Sequence, residues 1–178
     1  MNEGCCIWLT GLSGAGKTTV GMRLSELLED IEVPVTLLDG DEIRTNLSKG
    51  LGFSKEDRDT HVKRVGYVAS LILKHGGIVI CALISPYRNT RMEVRELIGD
   101  HFVEVFTDAS QKICEQRDVK GLYAKARKGE IKNFTGVSDP YEPPDGPDII
   151  LDTVNKTSFQ CATEVYDYLI KKGYIYDE

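Results

Sequence analysis

The sequence has no hydrophobic stretch long enough to cross a bilayer: its longest apolar run, Ile78 to Ile84, falls far short of the ~20 residues a spanning helix needs. The opening Met-Asn-Glu-Gly-Cys-Cys carries no basic n-region, so neither export nor anchoring is expected and the expected location is cytoplasmic. Positive charge is in deficit, 22 Lys and Arg against 28 Asp and Glu, and the resulting net charge of −6 opposes attraction to a phosphate polymer or an anionic surface. Nucleic acid and membrane are poor partners. Five cysteines, an odd number without Cys-x-x-Cys spacing, suggest neither a disulfide framework nor a zinc knuckle, and reduced, mostly buried thiols are expected. What is present, 41% hydrophobic and 28% charged residues in 178, is an ordinary globular composition, expected to form a single domain over residues 1–178.

Periodicity divides the chain into alternating elements. Cys5–Thr10 is a short apolar run closed by glycines, and Val20, Leu24, Leu27, Leu28 and Ile31 then recur at helical spacing. Val33-Pro34 breaks that helix, and Val35–Leu38 reads as a second buried strand ending in Asp39-Gly40-Asp41. Asp57–His75 reads as a helix that stops at Gly76-Gly77 before the run Ile78–Ile84. A helix near Thr90–Ile98, strands at Phe102–Phe106 and Ile149–Leu151, and a closing helix through Phe159 and Leu169 complete the pattern. Such βα alternation predicts an α/β fold with a five-stranded, mostly parallel sheet and helices on both faces. Residues 118–147 interrupt it with weak apolar periodicity, and a loop this long in a compact domain is usually functional. Residues 112–132 hold seven Lys or Arg against three acids, a local charge of +4.

Gly11-Leu12-Ser13-Gly14-Ala15-Gly16-Lys17-Thr18 matches G-x-x-x-x-G-K-[ST] and lies between a predicted strand and a predicted helix, the context this motif requires. Its glycines let successive N–H groups and the helix N-terminus point at phosphates. Lys17 supplies a point charge for the β- and γ-phosphates, and Thr18 offers a hydroxyl to Mg²⁺, a hard cation that prefers oxygen. A chance glycine turn with an adjacent lysine is the bland alternative. A GTPase would need Asn-Lys-x-Asp, and Asn155-Lys156-Thr157-Ser158 lacks the aspartate. The size of the chain suits a small-molecule kinase.

A parallel sheet presents ligands at the carboxyl ends of its strands, so Asp39 and Asp41 are expected to face the same crevice as the phosphate loop. Phosphoryl transfer to a hydroxyl calls for one carboxylate to position and deprotonate the acceptor and one to hold Mg²⁺, directly or through water. Asp41 is assigned the first role and Asp39 the second. A turn followed by a helix N-cap is the competing reading of Asp-Gly-Asp, and both can hold for Asp41. Arg44, Arg58, Lys63, Arg64, Arg88 and Arg91 leave the same sheet edge, so the acceptor is expected to be anionic. A kinase for another small anionic hydroxyl compound, and a non-catalytic nucleotide-dependent regulatory module, stay open at this point.

The ordered blocks of the chain resemble the adenylylsulfate kinase (APS kinase) family. They are Ile7–Thr19, Leu38-Asp39-Gly40-Asp41 with Arg44, Gly52-Phe53-Ser54, Asp57-Arg58, Ile84-Ser85-Pro86-Tyr87-Arg88, Arg117–Tyr123, Phe134-Thr135-Gly136 and Pro140–Pro144. The resemblance implies transfer of the ATP γ-phosphate to the 3′-hydroxyl of adenosine 5′-phosphosulfate (APS), giving 3′-phosphoadenylyl sulfate in sulfate assimilation, with Mg²⁺ accompanying ATP. It implies ATP on Gly11, Leu12, Ser13, Gly14, Ala15, Gly16, Lys17, Thr18, Thr19 and Arg117. The acceptor's base would lie between Phe53 and Phe134, its anionic groups on Arg44 and Arg58, with Asp41, His61, Ser85 and Lys120 also at that site. A plain core residue is the competing alternative for Phe53, whereas Phe134, in a polar glycine-flanked loop, is expected to be exposed. A mobile lid over about 118–136 and a homodimer are further implications. The family's phosphoserine would fall on Ser85, yet in-line transfer needs no covalent step, so Ser85 is expected to position substrate. The family pattern has Asn where this chain has His61, and an imidazolium there would add attraction to the acceptor's anion.

Overall fold

The computed structural model describes residues 4–176; Met1–Glu3, on which half of the leader reading rests, and the last two residues of the expected domain lie outside them. The strands are β1 Cys6–Thr10, β2 Val35–Asp39, β3 Ile78–Ala82, β4 Phe102–Asp108 and β5 Ile149–Asp152. The helices are α1 Lys17–Asp30, α2 Gly40–Asn46, α3 Lys55–Lys74, α4 Arg88–Ile98, α5 Gln111–Arg117, α6 Leu122–Arg127 and α7 Ser158–Lys172. The five strands form one sheet in the order β2-β3-β1-β4-β5, and every pairing is parallel.

Strand alternation sorts the core into two layers. Ile7 and Leu9 of β1, with Ile80 of β3 and Val105 of β4, face α1 and α7, where Val20, Leu24, Leu28, Cys161, Val165 and Leu169 meet them. Cys6 and Trp8 turn to the opposite face, against Val62, Val65 and Ala69 of α3 and Val94 of α4. The central strands are buried on both sides, which is why they read as continuous apolar runs rather than as alternating ones. All five cysteines are buried and free. Among the described residues no helix is long and apolar enough to cross a membrane.

Helix boundaries follow local chemistry. Ser54 caps α3 by accepting from the Asp57 N–H at 3.1 Å, and Thr157 and Gln160 form a reciprocal capping box at the start of α7. The predicted loop at 118–147 needs correction. It contains α6, and α5 precedes it, and Tyr123, Ala126 and Phe134 form a third small core with Ala15 and Cys114. Helices of six and seven residues are too short to impose a readable period, and this core takes residues from distant parts of the chain.

Where α3 crosses α4, Gly66 is the point of contact: a Cβ there would lie 2.8 Å from both γ-methyl groups of the buried, stiff Val94. Gly66→Ala improves helix propensity by up to ~1 kcal/mol, but the expected net effect is a loss of about 1–2 kcal/mol from overpacking. Urea unfolding checks this, with Val94→Ala in the same chain expected to restore part of the loss; a stabilised single variant contradicts the tight crossing.

Candidate active site

The loop between β1 and α1 has left-handed backbone at Gly14 and Gly16 (φ +79° and +98°), and a Cβ at Gly14 would press to 3.1 Å on the Cys114 carbonyl. Its carbonyls are taken one after another. The Lys17 Nζ donates to Gly11 O at 2.9 Å and Leu12 O at 2.7 Å, the Tyr123 hydroxyl to Ser13 O at 2.9 Å, and the Arg117 guanidinium to Gly14 O at 3.1 Å. The Ala15 N–H turns back to Leu12 O at 3.1 Å, and with these oxygens held the other N–H groups of the loop are left for an anion. Arg117 also donates to Thr153 O at 2.7 Å, fastening the loop to the turn after β5. Burial pushes the Lys17 ammonium down to about 8.

The strand β2 brings both aspartates to the mouth of this loop. Asp39 accepts the Thr18 hydroxyl at 2.5 Å and the Asp41 N–H at 3.1 Å, so Asp39 is the N-cap of α2. The capping role weighed for Asp41 therefore belongs to Asp39, and the Asp41 carboxylate is exposed and paired with Lys120, reaching across from the segment before α6. Thr18 and Asp39 form an all-oxygen pair that suits a hard cation carried in on a nucleotide's phosphates. Among the described residues no cluster of three or more His, Cys, Asp or Glu could hold a metal unaided.

The same cavity, about 890 Å³, continues past Ser85 to Phe53 and Phe134. Phe53 is 48% exposed and lines the cavity, which excludes the plain-core alternative. Its backbone is pinned from both sides: Asp57 accepts the Gly52 N–H, Arg44 donates to Gly52 O, and Arg58 Nε donates to Phe53 O at 3.0 Å. The guanidinium carbons of Arg44 and Arg58 lie 4.7 and 5.4 Å from the ring centroid. Phe134 lines the cavity yet is only 8% exposed, contrary to expectation, because it packs edge-on against Tyr123 at 5.0 Å. Arg58 reaches Asn133 O at 2.6 Å, so one buried side chain links the two aromatic walls.

The basic cluster resolves unevenly. Arg44 and Arg58 line the cavity, but Lys63 pairs with Glu93, Arg64 donates to Leu47 O, Arg88 binds Pro143 O and Arg91 is buried against Glu104. Arg64, one helical turn from His61, does not line the cavity that Arg58 and His61 share. Sequence order shows where basic residues are; it does not show which are spent on structure. Ser85 also lines the cavity, with left-handed backbone (φ +40°) and a buried hydroxyl that accepts from Trp8 Nε1 at 3.0 Å and donates to Leu83 O at 3.3 Å. Tyr123 and Asn133 are cavity residues that sequence reasoning passed over; the aromatic Tyr123 beside Gly121 was the available signal.

A five-stranded parallel sheet with a phosphate loop at its carboxyl edge and a paired aspartate beside it defines a small-molecule kinase of the P-loop class. The description adenylylsulphate kinase belongs to the family model that matches residues 3–152. An adenylyl-sulfate kinase of Rippkaea orientalis is 54% identical over 173 residues, covering 97% of this chain and 95% of that one. One from Halothermothrix orenii is 51% identical over 173 residues, covering 97% and 93%. The solved Mycobacterium tuberculosis APS kinase in complex with AMPPNP and APS superimposes with a TM-score of 0.92 at 40% identity, over 96% of this chain and 99% of that one. The chain belongs to the adenylylsulphate kinase family, whose members are ATP-dependent phosphotransferases.

His61 differs from expectation in its charge. It is 5% exposed, its Nδ1 lies 2.8 Å from the buried Ser48 hydroxyl, and burial, followed by Arg44, Arg64 and Arg58, pushes its imidazole down to about 4. It is therefore neutral in the free protein between pH 8 and 6. The unfolded chain takes up this proton near pH 6.5 and the folded chain only near 4, so stability falls as pH drops through that window and is unaffected above it. His61→Asn is expected to lose less stability than the natural protein between pH 7 and pH 5 in urea unfolding; equal losses would show that His61 does not titrate as placed.

Proposed function

We propose that the two ends of this cavity hold the two substrates of one direct transfer. ATP lies on Gly11–Thr19 with Arg117, its β- and γ-phosphates drawing Lys17 off its own loop carbonyls. APS lies between Phe53 and Phe134, its anionic groups on Arg44, Arg58 and Lys120, and His61 contributes a neutral hydrogen-bonding edge. Asp41, at the junction, accepts the proton of the 3′-hydroxyl as the γ-phosphoryl group passes in line to that oxygen, leaving ADP and 3′-phosphoadenylyl sulfate. Thr18 and Asp39 would hold the Mg²⁺ that arrives with ATP, which would supply neutralisation of phosphate charge. The observation that carries this reading is the continuity of one cavity from Lys17, past Asp41, to the Phe53 and Phe134 walls.

Ser85 fits a positioning role, because its buried hydroxyl accepts from Trp8 and donates to Leu83 O, and a phosphoryl group on it would remove the donated bond. With Mg²⁺ and ATP, ADP is expected to form rapidly with APS and slowly with AMP or adenosine, which lack the sulfate or the whole anion. Asp41→Asn keeps the shape but removes the base, so turnover should drop about 100-fold or more with ATP affinity little changed. Turnover within a few-fold of the natural protein would reassign Asp41 to lid pairing alone.

The segment 118–136 acts as a lid held at three points: Tyr123 on the phosphate loop, Lys120 on Asp41 and Asn133 on Arg58. Closing it over both substrates excludes water that would otherwise hydrolyse ATP. Amide hydrogen exchange across 118–136 should slow when ADP and APS are added together; unchanged exchange would contradict lid closure.

A further inference from the structure

Behind the acceptor end of the cavity lies an arginine that no ligand can touch. Arg91 is 2% exposed, and burying a guanidinium this deeply is costly unless its donors are all met. Each of its three nitrogens has a partner: Nε donates to Glu104 Oε1 at 2.9 Å, Nη1 to Ser85 O at 2.6 Å and Nη2 to Glu142 O at 2.7 Å. Glu104 neutralises the charge, and Arg95 with Asp148 completes a balanced set of four charges around it. The other two bonds go to backbone carbonyls in separate loops. One is Ser85, whose left-handed φ of +40° is strained for a residue with a side chain. The other belongs to the strap 141–143, which lies over Ser85–Arg88: the Glu142 N–H donates to Pro86 O at 2.8 Å, and its carboxylate accepts the Arg88 N–H at 2.8 Å. The strap has a second tie, from the Tyr141 hydroxyl to Thr10 Oγ1 at 2.9 Å, and Thr10 in turn donates to Ile84 O.

We infer that Arg91 is a positioning residue for the acceptor: its fork holds the strained Ser85 turn against the 141–143 strap and so sets the floor on which the acceptor lies. The inference rests on the reading of the cavity given above. An ion pair with Glu104 alone would need only one donor, and replacing a buried pair by apolar groups is often neutral for stability. The planar five-donor fork explains what a lysine could not do, since one ammonium cannot reach three acceptors lying in different directions.

Arg91→Lys keeps the cation for Glu104 and loses the fork. With the natural protein first shown to form ADP in response to APS, the expected result for Arg91→Lys is an acceptor KM raised tenfold or more and an ATP KM within twofold. Trp8 is the chain's single tryptophan and is bonded to Ser85, so its emission should change in the same variant. Glu104→Gln is the contrast: it lowers the melting temperature by leaving a buried charge unneutralised, but keeps an acceptor for Arg91 and should leave acceptor KM within twofold. Should Arg91→Lys not fold, Tyr141→Phe cuts the strap's bond to Thr10, leaves its bonds to Pro86 and Arg88 and the buried charges in place, and is expected to raise acceptor KM several-fold. An acceptor KM unchanged in both variants, or a fall in kcat with lost stability while both KM values stay put, overturns the inference. Absence of APS-dependent ADP formation in the natural protein would instead overturn the reading of the cavity itself.

Discussion

The phosphate loop must keep its shape whether or not an anion is present, and its Ser13 and Gly14 carbonyl oxygens are held for that by Tyr123 and Arg117, from distant parts of the chain. Four successive oxygens, from Gly11 to Gly14, accept from Lys17, Tyr123 and Arg117. A peptide unit whose oxygen is bound on one side cannot easily turn its N–H to the same side, so the loop is preorganised at little further entropic cost. Lys17 is the exception that the ligand exploits. Its contacts with its own loop satisfy a buried ammonium while no phosphate is present, and a phosphate offers it better partners.

Charge in the cavity runs against the charge of the chain as a whole. A protein of net charge −6 brings Lys17, Arg44, Arg58, Arg117 and Lys120 around one concave space, with Asp39 and Asp41 between them. Each cation is engaged with a backbone carbonyl, an aromatic face or a carboxylate, so their mutual repulsion is offset without a counter-ion from solution. Anionic substrates then enter a site whose geometry is already built, and the acidic exterior confines the attraction to that entrance.

Motifs whose function depends on local backbone were legible in the sequence. Gly14, Gly16, Lys17 and Thr18 act through a turn between a strand and a helix that their own spacing encodes, and the β2 terminus placed Asp39 and Asp41 by topology alone. Properties that depend on who packs against whom were not legible. Phe134 stands in a polar stretch but is buried by Tyr123, while Phe53 stands beside a helix start but is held out by Arg44 and Arg58. His61 reads as a titrating group until its burial and three neighbouring guanidinium groups are counted. The resemblance to a family singled out Arg44 and Arg58, both of which line the cavity, where spacing cannot separate Arg58 from Arg91 because both come from helices beside the same edge.

The two bonds that hold Ser13 and Gly14 span 110 and 103 residues of sequence. β1, the strand that leads into the loop, is central in the sheet and gains its two partners only when β3 and β4 exist. On the ribosome, therefore, the glycine-rich segment emerges among the first residues made but takes its anion-binding shape only after residue 123 has left the exit tunnel. A fragment that contains the whole motif but stops before α6 carries the glycine-rich sequence without the bond that holds Ser13 O.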